Sequence, residues 1–212
     1  MIDHGIVIPT RGDRESYLNA IIATVDLPAS HIIITTNSAK YRDTWTRTDA
    51  TLIVDLAPIN IHRWWNAGIN ALQSKGATYA TVLNDDVSIT PDSVQRMRDA
   101  LERTGATLAH PGRPGELVGC AWTLNVTHGV RCDERYQWWY GDNQLWLDAQ
   151  TRGHGIIDVP EAGIVHLEPN RKTTLSPALQ ALALVDRRRW QQRHPLRWAL
   201  ARGGLMKTRT RP

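Results

Sequence analysis

The sequence predicts an α/β protein: a single Rossmann-type domain whose mixed, mainly parallel sheet is flanked by helices, followed by a basic helical tail. Three observations carry this reading. The runs "GIVIP", "HIIITT" and "ATLIVDL" are short, rich in β-branched residues and continuously apolar, the pattern of strands buried on both faces of a parallel sheet. Segments with apolar residues at helical spacing fall between such runs, as in repeated βαβ units. The chain has 212 residues, 42% hydrophobic and 22% charged, enough for one well-packed globular domain.

In chain order, "GIVIP" is a strand stopped by Pro9, and residues 15–24 form a helix with Tyr17, Leu18, Ile21 and Ile22 at helical spacing. "HIIITT" and "ATLIVDL" are the second and third strands. Residues 63–75, "RWWNAGINALQSK", place Trp64, Ala67 and Leu72 on one helical face, with Gly76 as the stop and Trp64 and Trp65 as core. "YATVLNDD" is the next strand. "TPDSVQRMRDALERTG" is a helix with Thr90 as N-cap, Pro91 in its first position and Gly105 at its end. A strand and a Pro/Gly-rich turn follow in "ATLAHPGRPGELVG", then the strand "CAWTLNV". A helix from about Asn143 to Thr151, two short strands in "IIDVP" and "AGIVHL", and a helix beyond Pro177 complete the chain. There is no internal repeat.

Several classes drop out. No apolar run approaches the roughly 20 residues of a membrane span, and the start lacks a basic region followed by an apolar stretch. A cytoplasmic protein is expected. Cys120 and Cys132 make neither a disulfide framework nor a metal knuckle and read as free, buried thiols. The net charge of +4 is a property of the tail: from Asp186 onward nine Lys or Arg face one acid, leaving the first 185 residues at −4.

The chemistry concentrates in Asn84-Asp85-Asp86, where an amide and two carboxylates end an apolar strand. Adjacent like charges repel. A turn between strand and helix accounts for Asn and Asp locally. The alternative is a ligand site, because open α/β sheets bind ligands at the carboxyl edge. Hard oxygen donors suit Mg²⁺ or Mn²⁺, and such an ion keeps one or two carboxylates while taking substrate phosphates as its other partners.

A series of segments then resembles, in order, the family 2 glycosyltransferases of the GT-A fold, which transfer sugar from a nucleotide diphosphate sugar. "IVIPTRGDR" resembles their first strand and nucleotide loop, "WWNAGINAL" their Asn/Gly helix, and "LNDDV" with "PDSV" their D-x-D segment. "CDERYQWWYGDNQLWLDAQTRG" resembles the acceptor-side segment, and "VHLE" carries the late histidine. The likeness spans roughly residues 5–170. It implies a GT-A-like domain over residues 1–176, with a nucleotide-sugar half at about 1–104 and an acceptor half at about 105–176, and a basic helical extension at 177–212.

By this resemblance Asp86, His166 and Asn84 hold a divalent metal, Mn²⁺ or Mg²⁺, with Asn84 standing where the family has an acid. Asp142 matches the family's general base for an inverting transfer; its local reading is a cap on the helix at Asn143. Pro9, Thr10, Arg11, Asn37, Arg63, Asn66 and Asp85 line the nucleotide sugar, with Arg14 a further candidate and Arg171 and Lys172 folding over the diphosphate. Trp138, Trp139 and Tyr140 stack on acceptor or sugar, or else fill the core. Nine Trp against no Phe makes these rings conspicuous.

The tail interleaves Arg with Trp190 and Trp198, as nucleic-acid contact requires, and equally as an amphipathic helix on an anionic membrane does. The acceptor is thus read as a hydroxylated base in DNA, as for some viral members, or as a lipid-linked or polysaccharide acceptor. A non-catalytic nucleic-acid-binding module accounts for the tail but leaves the acids without a purpose. A nucleotidyltransferase calls for a Gly-rich phosphate loop, and "PTRGDR" has one Gly.

Overall fold

The computed structural model describes residues 3–113, 118–167 and 176–197. β1 (His4–Pro9), β2 (Ile32–Thr36), β3 (Thr51–Val54) and β4 (Tyr79–Leu83) run parallel in the spatial order β3-β2-β1-β4. β7 (Ala121–Asn125) pairs antiparallel with both β4 and β6 (Leu108–His110), and β8 (Ile156–Asp158) pairs parallel with β6. The result is a mixed, mainly parallel sheet of seven strands, in the order β3-β2-β1-β4-β7-β6-β8. Every residue of β1, β2, β4 and β7 is buried, as their continuously apolar or β-branched sequences require.

Side-chain alternation along β1 divides the core in two. Val7 packs with Trp65, Ile69 and Leu72 of α3 (Ile61–Ser74) and with Val82 and Trp122. Ile6 and Ile8 face Leu18, Ile21 and Ile22 of α1 (Glu15–Thr24), together with Val94 of α4 (Ser93–Thr104). Both cysteines are free and buried.

Some elements differ from expectation. A short helix α2 (Ala39–Thr44), capped by Ser38, stands between β2 and β3, and its six residues are too few to show a helical period. Helix α4 starts later than the Thr90 cap, because residues 90–93 close a turn in which Thr90 N–H donates to Ser93 Oγ (2.8 Å). Ser93 Oγ in turn donates to Ala162 O (2.7 Å), tying this turn to the short 3₁₀ turn at Pro160–Ala162. That 3₁₀ turn shortens the strand expected in "AGIVHL" to β9 (Val165–His166), which pairs antiparallel with β5 (Val87–Ser88). α5 spans Gly141–Thr151, two residues longer at its start than expected.

α6 (Pro177–Arg193) buries Leu179, Ala183, Asp186 and Trp190. Trp190 clusters with Tyr136 and Tyr140, ahead of α5. Arg193 pairs with Asp133 at 2.5 Å, and Arg189 donates to Arg135 O. Among the described residues no helix is long and apolar enough to cross a membrane.

Two of the buried histidines are held by oxygens of the scaffold. His4 Nε2 bonds Thr81 Oγ1 (2.8 Å), which meets Thr123 Oγ1 (2.7 Å), a polar chain across β1, β4 and β7. His62 Nδ1 bonds Tyr136 O (2.7 Å). Burial pulls both imidazoles down to about 4, Arg98 adding to the effect at His4 and the Tyr136 carbonyl opposing it at His62. Below about pH 6.5 the unfolded chain takes up protons that the native state refuses, so stability falls as pH drops toward 4. Urea unfolding across this window should show a loss of up to about 3 kcal/mol per histidine, and replacing His62 by Gln should flatten the slope.

Candidate active site

β1 and β4 lie side by side in the middle of the sheet, and the chain leaves β1 toward α1 and β4 toward α4. This is the switch point at which a parallel sheet opens a crevice beyond its carboxyl edge. Into it the sequence places "PTRGDR" from β1 and Asn84-Asp85-Asp86 from β4.

The two loops grip each other. Thr10, buried, donates its backbone N–H to Thr35 O (2.9 Å), accepts at Oγ1 from Gly12 N (3.0 Å) and donates from Oγ1 to Asp85 Oδ2 (2.7 Å). Arg14, at the entrance to α1, reaches Asp85 Oδ1 (3.3 Å) and Asp86 Oδ2 (2.8 Å). Its guanidinium is the cation that lets two neighbouring carboxylates stay buried at 7% and 1% exposure. Burial, with Asp86 alongside, pushes the Asp85 carboxyl above its ordinary range, against the opposing pull of Thr10 and Arg14.

The β5–β9 ribbon brings the late histidine onto this cluster. Val87 pairs with His166, and Leu167 N donates to Asp86 O (2.8 Å). His166 Nε2 then stands 3.1 Å from Asp86 Oδ1, yet the two are not aligned as a hydrogen bond, and neither buried atom has a hydrogen-bond partner among the described residues. Asn84 Oδ1 is also buried with no hydrogen-bond partner among the described residues, while Asn84 N donates to Cys120 O (2.8 Å). An imidazole nitrogen, a carboxylate oxygen and an amide oxygen on two adjoining segments thus lack hydrogen bonds among the described residues. Among the described residues no group of three or more His, Cys, Asp or Glu could hold a metal ion. The donor set fits Mg²⁺ or Mn²⁺, which needs only one or two protein carboxylates beside substrate oxygens.

Asp142 belongs to the same edge. β7 starts beside the end of β4, with Ala121 opposite Leu83, and Gly119 precedes it so closely that an added Cβ would lie 2.3 Å from Asp142 Oδ2. A side chain there would push the Asp142 carboxylate out of its place. Burial, with the nearby charges of Asp86 and Asp142, pushes the Cys120 thiol up to about 12. Burial also raises the Asp142 carboxyl above its ordinary range, against its bond from Asn143 N (2.9 Å). Because α5 begins at Gly141, Asp142 sits inside the first turn and does not cap a helix starting at Asn143.

Other expected site residues lie apart or are engaged elsewhere. Asn66 is bound into the scaffold: its amide donates to Cys132 O (2.9 Å) and Glu134 Oε1 (2.8 Å) and accepts from Cys132 N (3.1 Å). That correction removes it from phosphate or ribose contact. Tyr140 is likewise corrected from sugar stacking to packing, since it is buried and stacks on Trp190 at 5.7 Å. Trp138 and Trp139 are half-buried beside it. Arg63 pairs with Asp55 and donates to Pro58 O (2.8 Å), and Arg11 pairs with Asp13 at 2.6 Å. Pro9 ends β1, and Asn37 follows β2, both at the carboxyl edge. Arg171 and Lys172 lie outside the described residues. Sequence reading ranked Arg14 low and passed over Gly119; a cation four residues beyond Thr10, on the loop facing the acids, was the available signal for the first.

Replacing Arg14 by Ala leaves two buried carboxylates uncompensated. Thermal and urea unfolding should show a loss of roughly 3 kcal/mol, and Mn²⁺ should stabilise the variant more than the parent protein.

No family model matches the sequence, and no curated protein matches it. Solved structures do match. The mannosyltransferase PcManGT of Pyrobaculum calidifontis, in complex with GDP-Man and Mn²⁺, aligns with a TM-score of 0.61 at 14% identity over 79% of this chain and 57% of that one. S. aureus TarS 1-349 aligns at 0.51 in complex with UDP and 0.52 in complex with UDP-GlcNAc, at 13% and 11% identity, covering 73% of this chain and 57% and 55% of those. This chain spans less than two thirds of each of these structures. At such identities the likeness is one of architecture: the chain adopts the GT-A fold of these glycosyltransferases.

Proposed function

We propose that the protein is a nucleotide-sugar-dependent glycosyltransferase, metal-assisted and inverting, with Asp142 as general base. One observation carries the reading: at the switch point of the sheet Asn84 Oδ1, Asp86 Oδ1 and His166 Nε2 are buried with no hydrogen bond among the described residues, His166 Nε2 standing 3.1 Å from Asp86 Oδ1. Supporting it, the matched mannosyltransferase was solved with GDP-Man and Mn²⁺, and TarS with UDP and UDP-GlcNAc.

Asp86 and His166, with Asn84 beside them, would hold Mn²⁺ or Mg²⁺, which when bound supplies Lewis-acid stabilisation of the diphosphate leaving group. The chain's own residues do the rest. Thr10 fixes Asp85, and Arg14 neutralises Asp85 and Asp86 on the sides that Thr10 and the open donor atoms leave. Asp142 takes the proton from the acceptor hydroxyl as that oxygen attacks the anomeric carbon. Its raised affinity for protons makes it a stronger base than an exposed carboxylate. Pro9, Thr10, Asn37 and Asp85 border the donor, and Trp138 and Trp139 border the acceptor.

The charge of the chain's end supports an anionic acceptor, and DNA carrying a hydroxylated base is the one we propose. Arg189 and Arg193 are engaged on the protein itself, and the proposed DNA contact is assigned to Arg202, Lys207, Arg209 and Arg211. The proposal includes a cytoplasmic setting.

Thermal shift against a panel of nucleoside diphosphates should show stabilisation by one of them that depends on Mn²⁺; no response to any, with or without metal, would reject the transferase reading. Asp142→Asn should lower donor turnover by roughly 10²- to 10⁴-fold with nucleotide affinity kept. In the parent protein, activity should fall on acidification at a pH above the ordinary carboxylate range, because the base must be unprotonated and burial raises its pKa. Truncation after residue 197 removes Arg202, Lys207, Arg209 and Arg211, and the logarithmic salt dependence of DNA binding should fall by about three to four. An unchanged slope would reject the DNA role while leaving donor binding untouched.

A further inference from the structure

The C-terminal helix reaches the candidate base through a single buried acid. Asp186 is fully buried on α6, although it stands in the sequence as one acid ahead of three consecutive arginines. Its carboxylate gathers the backbone of the segment before α5: Gln137 N at 3.1 Å (Oδ1) and 2.9 Å (Oδ2), Trp138 N at 2.7 Å and Trp139 N at 3.0 Å. Arg189 adds one contact from α6 itself, at 3.3 Å. Successive N–H groups converging on one anion form a backbone nest.

The residue after this nest is strained. Tyr140 has φ 67°, and among the described residues it is the one non-glycine with positive φ. Such a conformation is costly for a residue that carries a Cβ and persists where its surroundings over-determine it. Here they come again from α6, because the Tyr140 ring stacks on Trp190 with planes 23° apart. The next residue, Gly141, lies so close to the His62 ring that a Cβ would meet it at 2.2 Å. Asp142 follows immediately, with Gly119 against its carboxylate.

We propose that Asp186 is a positioning residue for the reaction: by binding three consecutive backbone amides it holds the left-handed turn at Tyr140 and so aims Asp142 across the crevice. The inference rests on Asp142 being the base. It gives Asp186, and not the rest of α6, a part in aligning the base. A base displaced by a fraction of an ångström keeps its chemistry but loses alignment. The donor loops at the ends of β1 and β4 make none of these bonds, so donor binding is separate from them.

The test compares the full-length parent protein with Asp186→Asn and with Leu179→Ala, which opens a packing defect on the same helix away from the nest. The amide nitrogen of Asn would face N–H donors. Asp186→Asn is expected to lower turnover of the nucleotide sugar roughly tenfold to a hundredfold and to shift the acid limb of the pH profile. Nucleotide affinity should stay within twofold, with calorimetric stoichiometry correcting for the folded fraction. Leu179→Ala should lower the melting temperature with turnover per folded molecule unchanged. Equal turnover and an unmoved pH profile in Asp186→Asn would overturn the proposal. If Asp186→Asn does not fold, Asp186→Glu, which keeps the charge but moves it by a methylene, carries the same comparison. Should the parent protein turn over no nucleotide sugar, the transferase reading falls by itself. The brace is then read from amide hydrogen exchange: faster exchange at residues 137–142 in Asp186→Asn but not in Leu179→Ala supports it, and equal exchange in both overturns it.

Discussion

Two neighbouring carboxylates buried at the end of a parallel strand are an electrostatic liability, and much of the molecule is arranged around their compensation. Asp85 and Asp86 repel each other and have lost their water. The guanidinium of Arg14 answers both at once, and the hydroxyl of Thr10 answers Asp85 again. Both helpers come from the loop leaving β1, so the pairing of β1 with β4 is what allows the acids to exist. The compensation is also incomplete in a specific way. Arg14 takes Asp86 Oδ2 and leaves Oδ1 facing His166, an asymmetry that suits a further cation.

A second scaffold holds the other half of the crevice, and it is built from side chains bonded to backbone. Asn60 caps α3 and donates to Glu134 O (2.8 Å), His62 bonds Tyr136 O, Asn66 bridges to Cys132, and Ile61 N donates to Gln137 O (2.9 Å). The segment from 132 to 137 is irregular, so its peptide groups need partners, and the start of α3 supplies them. From the other side Asp186 and Trp190 secure residues 137–140. The chain thus enters α5 already fixed, and Asp142 inherits that rigidity.

Much of the fold was legible because it rests on local patterns. Continuously apolar runs marked β1, β2 and β4, helical spacing marked α1 and α3, and Gly105 marked the end of α4 in the left-handed conformation expected of it. What escaped were features decided by partners distant in sequence. α2 is too short to carry a period, and the start of α4 is set by a bond from Ser93 to Ala162 across 69 positions. The candidate site divides the same way. Asn84, Asp85, Asp86, Asp142 and His166 were readable from type and order, while the engagement of Asn66 and Tyr140 in packing was not, since a buried amide and a ligand-facing amide look alike in a sequence.

By itself the sequence determined an α/β chain, its main strands and helices, and a set of acids and a histidine whose order resembles that of the family 2 glycosyltransferases. Only the tertiary structure decided which charges meet. Arg14 and Asp86 stand 72 positions apart, and Asp186 and the amides it binds stand 47 to 49 apart. Those distances close because sheet order and helix packing bring them together. Electrostatic compensation depends on ångströms in space, and local sequence patterns carry no record of them.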